Sequence, residues 1–580
     1  MSKSCYPSEV ALKSFFLGPQ AENGEWVQGQ IQFILHEWYQ WRREAFPQDG
    51  HAISEDDIHV EEFLQRRTDC EKLLKELSDR FHEELPQFSP RYIGHMLSEI
   101  SLPALLGHII CLVHNPNNVS GESSRVGIVI EDEAIQFLKK MVNYPPASTG
   151  HFTSGGTVAN FEALTRAIER TTQWLHIGYA IRKLNIENIE LWDAAHMGWE
   201  NAENFLQLPE VGKLLQNTAR EWSNPLLRAQ LLSQCFGISY AGPVILVPEH
   251  KHYSWVKGAD IFGLGEESLW PIQLDSTGHL DSKSLSALIQ KAKTENRPIA
   301  LAVAVAGTTE LGFIDPVDEV AQQFANETKS AHHIWFHIDA AYGGFFCSMS
   351  TMGILGPRAE KAFLAFSKAN SITLDPHKLG YVPYASGTFL CHAEKDYYLK
   401  SYNGPYLQMK ATRVKGPYTL EGSRSAAGAV ATWLTAKSIG LNNDGYGRIL
   451  ARTIRSKRDL EVLLLETDDR ICIAPNTDTN ILGLVIANKG DTYKDVSRKT
   501  QALIDRISNS PTKEFFISKT KLTTKSYREY IKHFGEEWDA QGEICDLDIL
   551  RICIMNPFFD SKELTTNFKE EFCKYLKSQI

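Results

Sequence analysis

Four apolar segments in the middle of the chain lack any alternation of apolar and polar residues, and they restrict the fold more than any other feature. They lie at residues 243–247, 299–305, 334–338 and 371–374. Continuous apolar strands are typical of a sheet covered on both faces, and such sheets are mostly parallel. Residues 282–294 and 316–330, which separate some of these segments, have helical periodicity. Strands that alternate with crossover helices predict an α/β fold with a mostly parallel sheet.

The rest of the chain divides into regions of different character. Residues 1–120 have helical periodicity at 25–43 and 56–85, which predicts a helical N-terminal segment. We expect a large domain over residues 121–405, interrupted at about 178–238 by a helical insertion without strand signals. Residues 406–580 begin as a loop and then alternate helices with strands at 479–486 and 548–554. This pattern predicts a small α/β C-terminal domain.

Composition narrows the class of protein. The chain has 580 residues, a net charge of -11 and a hydrophobic content of 43%. These values are those of a globular protein and argue against nucleic acid or an anionic membrane as a partner. The 10 cysteines stand singly, without a CxxC pair. We therefore expect no thiolate metal site and a reducing compartment.

The N-terminus has no apolar core of signal-peptide length, so we expect a cytoplasmic protein. Residues 100–113 form the best candidate for a membrane segment. They contain Pro103 and His108 and are too short to cross a bilayer. We interpret them as a buried helix.

Two consecutive apolar segments are each followed by a charged residue, an acid in one case and a lysine in the other. Asp339 comes after residues 334–338, and Lys378 comes after residues 371–374. A pyridoxal phosphate (PLP) site needs this pair, because the lysine amine bonds to the cofactor aldehyde and the carboxylate keeps the pyridine nitrogen protonated. Beside a protonated ring in a covered site, we expect the pKa of Lys378 to be lowered.

Three further sequences suit the same site. The glycine-rich residues 153–160 precede a helical run, and such a turn presents backbone N–H groups to a phosphate. His250 and His252 follow the first apolar segment, where an imidazole can stack on a flat ring. From the sequence alone these two histidines compete for that role. Thr308 lies at the end of the second apolar segment, where small residues allow a cofactor to approach.

The chain resembles the group II PLP-dependent amino-acid decarboxylases, and within them the bacterial tyrosine decarboxylases, over nearly its whole length. The most specific motifs are Asp-Ala-Ala-Tyr-Gly-Gly at 339–344 and Asp-Pro-His-Lys at 375–378. Further matching sequences lie at residues 16–24, 91–96, 118–124, 251–255 and 420–423. The resemblance implies a fold of the aspartate aminotransferase-like type, fold type I, and decarboxylation of an L-amino acid to its amine and CO2. It also implies a homodimer whose sites lie at the subunit interface.

The resemblance assigns roles to residues of the cofactor site. Lys378 would bind PLP covalently, and Asp339 would pair with its pyridine nitrogen. His252 would stack on one ring face and Ala341 would pack on the other. The phosphate would be held by Gly156, Thr157 and His377, with Thr308 nearby.

The resemblance also implies a mobile catalytic loop whose tyrosine returns a proton to the substrate carbon. The matching sequence is residues 401–407, where Tyr406 is the first choice and Tyr402 the alternative. A loop punctuated by Gly404 and Pro405 suits a lid, and a phenol can act as a general acid. The alternative is a tyrosine that packs on the partner subunit.

The choice of substrate is the least determined part of the prediction. Arg551 matches an arginine near the substrate carboxylate, and His95 matches a histidine near the substrate side chain of tyrosine decarboxylases. Cys553 stands where those enzymes have a serine, and a thiol is a weaker hydrogen-bond partner than a hydroxyl. His95 favours an aromatic substrate such as L-tyrosine, whereas Cys553 argues against recognition of the tyrosine hydroxyl, so phenylalanine, tryptophan and dopa stay open as well. Aspartate or glutamate decarboxylation, another fold type I carbon–carbon lyase and an aminotransferase stay open, as does a protein that keeps the fold only for binding.

Overall fold

A computed structural model describes residues 9–401, 414–510 and 514–580 of the chain. The strands of this part are β1 (Thr149–Thr153), β2 (Val244–Pro248), β3 (Leu269–Ile272), β4 (Ile299–Val305), β5 (Trp335–Ala340), β6 (Ser371–Leu374), β7 (Gly387–Cys391), β8 (Ile471–Ile473), β9 (Ile481–Ile486), β10 (Ser518–Leu522) and β11 (Leu547–Cys553). The helices are α1 (Glu9–Lys13), α2 (Gly24–Ala45), α3 (Glu61–Phe81), α4 (Leu102–His114), α5 (Arg125–Met141), α6 (Gly156–Lys183), α7 (Leu191–Ala195), α8 (Gly198–Leu206), α9 (Pro209–Ser223), α10 (Pro225–Phe236), α11 (Ser254–Ile261), α12 (Ser282–Thr294), α13 (Val317–Lys329), α14 (Pro357–Leu364), α15 (Glu394–Tyr397), α16 (Ala427–Ser438), α17 (Tyr446–Thr467), α18 (Tyr493–Ser508), α19 (Thr524–Phe534) and α20 (Phe568–Gln579).

A seven-stranded mixed sheet forms the centre of the molecule, in the order β1-β7-β6-β5-β4-β2-β3. Strands β2 to β6 pair in parallel, whereas β7 is antiparallel to both β6 and β1. The mostly parallel α/β sheet predicted from the four apolar segments is confirmed.

Helices cover both faces of this sheet, which explains the continuous apolar strands. On one face the small residues of α6, Ala159, Ala163 and Ala167, pack on Ile245 and Val303. On the other face α12 and α13 bury side chains against Leu246, Ala302 and Phe336. Because alternate residues of each strand meet a different apolar layer, no position is left for a solvated polar side chain.

A second sheet of four antiparallel strands, in the order β10-β11-β9-β8, lies in the C-terminal part of the chain. The strands predicted at 479–486 and 548–554 are β9 and β11. Two helices, α18 and α20, bury Leu503, Phe572 and neighbouring residues in the core on one side of this sheet. On its other side α19 and Phe313 pack against Val485 and Ile549.

Some predicted segments differ from the structure. Residues 100–113 correspond to α4, but the helix is not fully buried, since Leu112 is 69% exposed. The predicted insertion at 178–238 contains helices and no strand, but its first residues belong to α6, which starts far upstream. The division into domains at residues 120 and 405 stays a prediction. No helix in the described parts of the chain is long and apolar enough to cross a membrane.

Candidate active site

The carboxyl ends of the parallel strands border a cavity of about 350 Å³. Eight residues predicted for the cofactor site line it: Gly156, Thr157, His252, Thr308, Asp339, Ala341, His377 and Lys378. These residues come from β5, the turn after β6, the start of α6 and the loops after β2 and β4. Parallel strands bring their carboxyl ends to one edge, so residues far apart in sequence meet there.

Asp339 is the penultimate residue of β5 and is only 4% exposed. Its Oδ2 accepts hydrogen bonds from Asn160 Nδ2 at 2.8 Å and from Trp255 Nε1 at 3.2 Å. Buried carboxylates need such donors, because an unpaired buried charge is costly. The two donors therefore fix the carboxylate at the edge of the cavity.

Asn160 joins Asp339 to the histidine loop. Its Nδ2 also donates to Ser254 Oγ at 3.0 Å, and Ser254 Oγ lies 2.9 Å from His252 Nδ1. The Oδ1 atom of Asn160 accepts from Thr373 Oγ1 at 2.8 Å. Side chains from α6, β6 and the loop after β2 are thus held in one network.

Two histidines compete for the ring-stacking role, and their hydrogen bonds distinguish them. His250 is fully buried, and its Nε2 lies 3.0 Å from Asp315 Oδ1. His252 also lines the cavity and is anchored through Ser254 rather than through an acid. Burial lowers the pKa of His252, although Asp339 opposes this shift. A neutral, partly exposed His252 is better suited to stack on a ring than an ion-paired His250.

Lys378 follows β6 after a short turn, and its side chain is 21% exposed. Its Nζ lies 3.0 Å from Asp375 Oδ2. Burial alone lowers the pKa of Lys378, but the Asp375 carboxylate outweighs burial, so this pKa is raised. This raised pKa is that of the protein without a cofactor, and the acid responsible lies three residues upstream in the same turn. The lowered pKa expected beside a protonated cofactor ring stays a prediction.

The glycine-rich turn opens α6 as predicted. Its Gly156 is the first helical residue, and a Cβ atom there would lie 2.8 Å from Asp375 Oδ2 and 3.0 Å from Ala341 Cβ. A Cβ atom on Gly155 would lie 3.5 Å from His377 Cε1. The turn thus brings bare backbone to the cavity wall at the positive end of a helix.

Comparisons with known proteins agree with this geometry. The model of the family described as "Pyridoxal-dependent decarboxylase conserved domain" matches residues 236–485. This segment contains Asp339 and Lys378. This part of the chain is a pyridoxal-dependent decarboxylase domain.

Three relatives show how far the similarity extends. The chain is 28% identical to the L-tyrosine decarboxylase of Levilactobacillus brevis, over 99% of this chain and 96% of that protein. It is 29% identical to the L-tyrosine decarboxylase of Enterococcus faecium, over 99% of both chains. A solved structure of Oryza sativa TDC with PLP and tryptamine has a TM-score of 0.63 and 15% identity, covering 95% of this chain and 98% of that one. The last comparison concerns the fold alone.

The cavity fits PLP. The glycine turn at the start of α6 can bind the phosphate, because it presents the free N–H groups of a helix N-terminus. His377 lines the cavity beside this turn. Asp339 lies on β5, and Lys378 lies in the turn after the neighbouring strand β6. The amine and the carboxylate are therefore at the same edge of the sheet. A lysine for the aldehyde, an acid for the ring nitrogen and an anion cradle are the parts that this cofactor requires.

The three residues predicted for substrate binding lie elsewhere. Among the described residues, His95, Arg551 and Cys553 do not border the cavity. Arg551, on β11, is buried and donates from one terminal nitrogen to Gly94 O and Ser518 Oγ, both at 3.1 Å. Its other terminal nitrogen is buried without a partner. His95 is exposed at the surface of the structure. Protein atoms around its ring still displace some water, and this effect together with the charge of Arg551 lowers the pKa of the imidazole.

Cys553 is connected to the cavity through one side chain. Its Sγ lies 3.2 Å from the hydroxyl of Tyr342, which borders the cavity and donates to Asn480 Oδ1 at 2.6 Å. Burial raises the pKa of the Cys553 thiol. The predicted catalytic tyrosines, Tyr406 and Tyr402, lie outside the described residues.

Asn160, Trp255, Ser254 and Asp375 were missed as site residues. All four belong to motifs that were recognised at residues 153–160, 251–255 and 375–378. The signal available was position, because each lies within a few residues of a predicted site residue. Only the packing of α6 across the strand ends shows that Asn160 donates to Asp339.

Proposed function

We propose that this decarboxylase releases the α-carboxylate of an aromatic L-amino acid, such as L-tyrosine, as CO2 and produces the amine. The observation that carries the proposal is the placement of Lys378 and Asp339 at one cavity. The similarity to two L-tyrosine decarboxylases over nearly the whole chain supports the aromatic substrate.

Residues on the cofactor side hold and orient PLP. The cofactor, when bound, supplies the electron sink for the pair left by the departing carboxylate. Lys378 would hold the cofactor through its aldehyde, and Asp339 would keep a proton on its ring nitrogen. Asn160 and Trp255 hold the Asp339 carboxylate in place by donating hydrogen bonds to it.

The remaining cofactor residues fix the ring and the phosphate. His252 would stack on one face of the ring and Ala341 would pack on the other. Gly156, Thr157 and His377 would hold the phosphate, with Thr308 nearby. The Thr308 hydroxyl accepts from Phe313 N at 3.0 Å, which keeps its loop against the cavity.

Residues on the substrate side orient the amino acid. Arg551 pairs with the substrate carboxylate through its partnerless terminal nitrogen. His95 and Cys553 lie towards the substrate side chain. Tyr406, or Tyr402 in its place, returns a proton to the substrate carbon.

An acidic substrate is the main alternative, and the charges around the cavity disfavour it. Aspartate or glutamate needs a second cation for its side chain. Of the described residues bordering the cavity, only Lys378 is a lysine or arginine, while Asp339 and Asp375 are acids. Another PLP-dependent lyase or an aminotransferase has no observation in its favour beyond the shared fold.

The test is release of amine and CO2 from a panel of amino acids with PLP present. We expect release from tyrosine or another aromatic amino acid, lost in Lys378→Ala. Release of CO2 from aspartate or glutamate alone would support decarboxylation but contradict the aromatic substrate. If no amino acid loses CO2, transfer of the amino group to keto acids becomes the next assay.

We propose that the protein is a homodimer joined partly through its N-terminal helices. Among the described residues of α3 none is buried, and Leu73, Leu74 and Phe81 are all more than 60% exposed. The α2 residues Phe33 and Trp41 are likewise exposed. Large apolar patches of this kind mark interaction sites. Light scattering should give twice the chain mass of 65.4 kDa, and a monomer with full activity would contradict the dimer.

We also place the protein in the cytoplasm. The nine cysteines of the described residues are all free thiols, including the exposed Cys70, which suits a reducing compartment. Fractionation of cells that express the full chain tests this, and recovery from an oxidising compartment would contradict it.

A further inference from the structure

His250 borders the cavity, but in the proposed function it neither stacks on the cofactor ring nor holds the phosphate. It is 3% exposed and lies shortly after β2, in the loop that also carries His252. Its Nε2 lies 3.0 Å from Asp315 Oδ1, whereas its Nδ1 is buried without a hydrogen-bond partner among the described residues. A buried polar atom without a partner costs free energy, so this nitrogen is suited to an interaction with a bound molecule.

The contacts of Asp315 show which ring nitrogen of His250 carries a hydrogen. Asp315 Oδ1 also accepts from Leu280 N at 2.9 Å, and Oδ2 accepts from Val305 N at 2.7 Å. Burial alone raises the pKa of Asp315, but the charge of His250 and these hydrogen bonds outweigh burial and lower it. An ionised carboxylate can only accept hydrogen bonds, so His250 Nε2 donates to it.

The second ring nitrogen of His250 is a donor in the charged imidazole. Burial alone lowers the pKa of His250, but Asp315, together with Glu310 and the carbonyl of His250 itself, outweighs burial and raises it. This shift favours the imidazolium, in which both nitrogens carry hydrogen. His250 Nδ1 therefore presents an N–H group of a cation at the wall of the cavity, and an anionic oxygen is its strongest acceptor.

Glu310 connects His250 to Arg551. Its backbone oxygen accepts from Arg551 Nε at 3.1 Å. Burial raises the pKa of its carboxyl, and the charges of His250 and Arg551 oppose this shift, so both cations lie near Glu310. His250 is therefore on the side of the cavity towards Arg551.

A substrate carboxylate in the cavity has few cations to contact. Among the described residues Arg551 does not border the cavity, and Lys378 is the cation proposed to bind the cofactor. Burial lowers the pKa values of His252 and His377, which also border it. His250 is thus the cavity-lining residue whose charge is available to the amino acid.

We propose that His250 is a further substrate-binding residue, whose Nδ1 donates to the carboxylate of the amino acid on the side of the cavity towards Arg551. The inference rests on the proposed decarboxylase function and adds to it a cation in the wall of the cavity. The negative charge leaves the carboxylate as CO2 forms, so His250 binds the amino acid more strongly than the transition state. It therefore lowers KM without raising kcat.

Two substitutions separate the two nitrogens of His250. His250→Gln places an amide near the position of Nε2 and keeps a donor for Asp315, whereas His250→Asn places an amide near the position of Nδ1 and loses that donor. Each protein is saturated with PLP, and thermal melting verifies that it is folded. Calorimetry then measures the binding of an amino-free analogue of the substrate and of its primary amide, for example 3-phenylpropanoate and 3-phenylpropanamide for phenylalanine. Without an amino group, neither ligand can bond to the cofactor aldehyde.

We expect the wild type to bind the acid more tightly than the amide. His250→Gln should lose about 10- to 100-fold of this preference, as for a lost hydrogen bond between charged groups, while His250→Asn should keep most of it. In His250→Gln the KM of the amino acid should rise by a similar factor, without a fall in kcat. His279→Gln is the matched control, because His279 pairs with Asp478 at 2.8 Å and does not border the cavity among the described residues. It should leave the preference unchanged.

Equal binding of acid and amide by the wild type would overturn the proposal without any variant. An unchanged preference in His250→Gln would overturn it as well. An equal loss in His250→Gln and His250→Asn would assign the effect to the pair with Asp315 rather than to Nδ1, and would also overturn it. Release of CO2 by the wild type is measured separately, so any of these results can contradict the role of His250 while the decarboxylase function stands.

Discussion

The side chains on the cofactor side, which line the cavity, come from neighbouring strands and turns of one sheet, whereas the proposed substrate side, outside this cavity, joins distant parts of the chain. Asp339 on β5 pairs in register with Thr373 on β6, and Lys378 follows in the next turn. Arg551 instead donates to Gly94, 457 residues away in the sequence. The cofactor side is therefore positioned by a rigid parallel sheet. The substrate side depends on how β11 packs against the segment that contains His95.

The largest expected effect tests the rigid cofactor side. Asp339→Asn removes the charge that we propose to hold a proton on the ring nitrogen but keeps the size of the side chain. We expect turnover to fall by about 10²–10³-fold or more, as for other lost electrostatic contacts in active sites. The midpoint of thermal unfolding should change little. Steady-state kinetics and calorimetric melting measure the two quantities.

A buried acid outside the cavity provides the control for Asp339. Asp396 is also buried, and its Oδ2 pairs with Arg170 at 3.3 Å. Because Asp396→Asn breaks a buried ion pair, it should lower stability by about 3–5 kcal/mol and leave turnover of the folded enzyme near that of the wild type. Full activity in Asp339→Asn would remove the assigned role of Asp339.

The second prediction concerns the network that holds Asp339. Asn160→Ala removes a donor to Asp339 Oδ2 and a donor to Ser254 Oγ. Hydrogen bonds to charged groups contribute about 1.5–3 kcal/mol, so turnover should fall roughly 10- to 100-fold. The pH at which the bound cofactor changes its absorbance should shift as well, since Asp339 is then less well held.

A matched asparagine separates this effect from a general loss of stability. Asn201 on α8 donates to Met197 O at 3.0 Å, far from the cavity residues in sequence and in its contacts. We expect Asn201→Ala to leave both turnover and the absorbance titration unchanged. If Asn160→Ala behaves in the same way, the network does not orient Asp339.

The difference between the two sides also explains which strands, helices and side-chain contacts could be predicted from the sequence. The strands β4 and β6 and the helix α12 match their predicted bounds, because continuous apolar runs and helical periodicity are local signals. Strand β7 was missed although it pairs with both β1 and β6, since its five residues carry no comparable run. The donors of Asp339 were missed because the crossing of α6 over the strand ends is a tertiary feature that no local pattern encodes.

The third prediction tests the substrate side. Arg551→Lys keeps the charge but loses the fork that donates to Gly94, Ser518 and Glu310. A lysine cannot reproduce bidentate recognition of a carboxylate. We expect the KM of the amino acid to rise about tenfold, corresponding to about 1.4 kcal/mol of binding, with a smaller change in kcat.

The control for Arg551 is Arg358, which does not border the cavity among the described residues. Its side chain is 43% exposed and pairs with Asp478, whose side chain is 11% exposed. Because Arg358→Lys keeps the charge at a position outside the site, it should leave KM unchanged. An unchanged KM in Arg551→Lys would mean that the substrate carboxylate is bound elsewhere, and the Gly94 contact would then be structural only.

The smallest expected effect concerns Cys553, where a serine occurs in the enzymes that the sequence resembles. Its Sγ contacts the hydroxyl of Tyr342, which borders the cavity, at 3.2 Å, so Cys553→Ser places a stronger hydrogen-bonding group behind this tyrosine. We expect the ratio of kcat/KM for tyrosine over phenylalanine to rise about fivefold, equivalent to a gain of about 1 kcal/mol. Cys573→Ser, in the core beside α18, serves as the control and should leave this ratio unchanged. An unaltered ratio in Cys553→Ser would show that Tyr342 separates this position from the substrate ring, and that the preference for a hydroxylated ring arises on the side of His95.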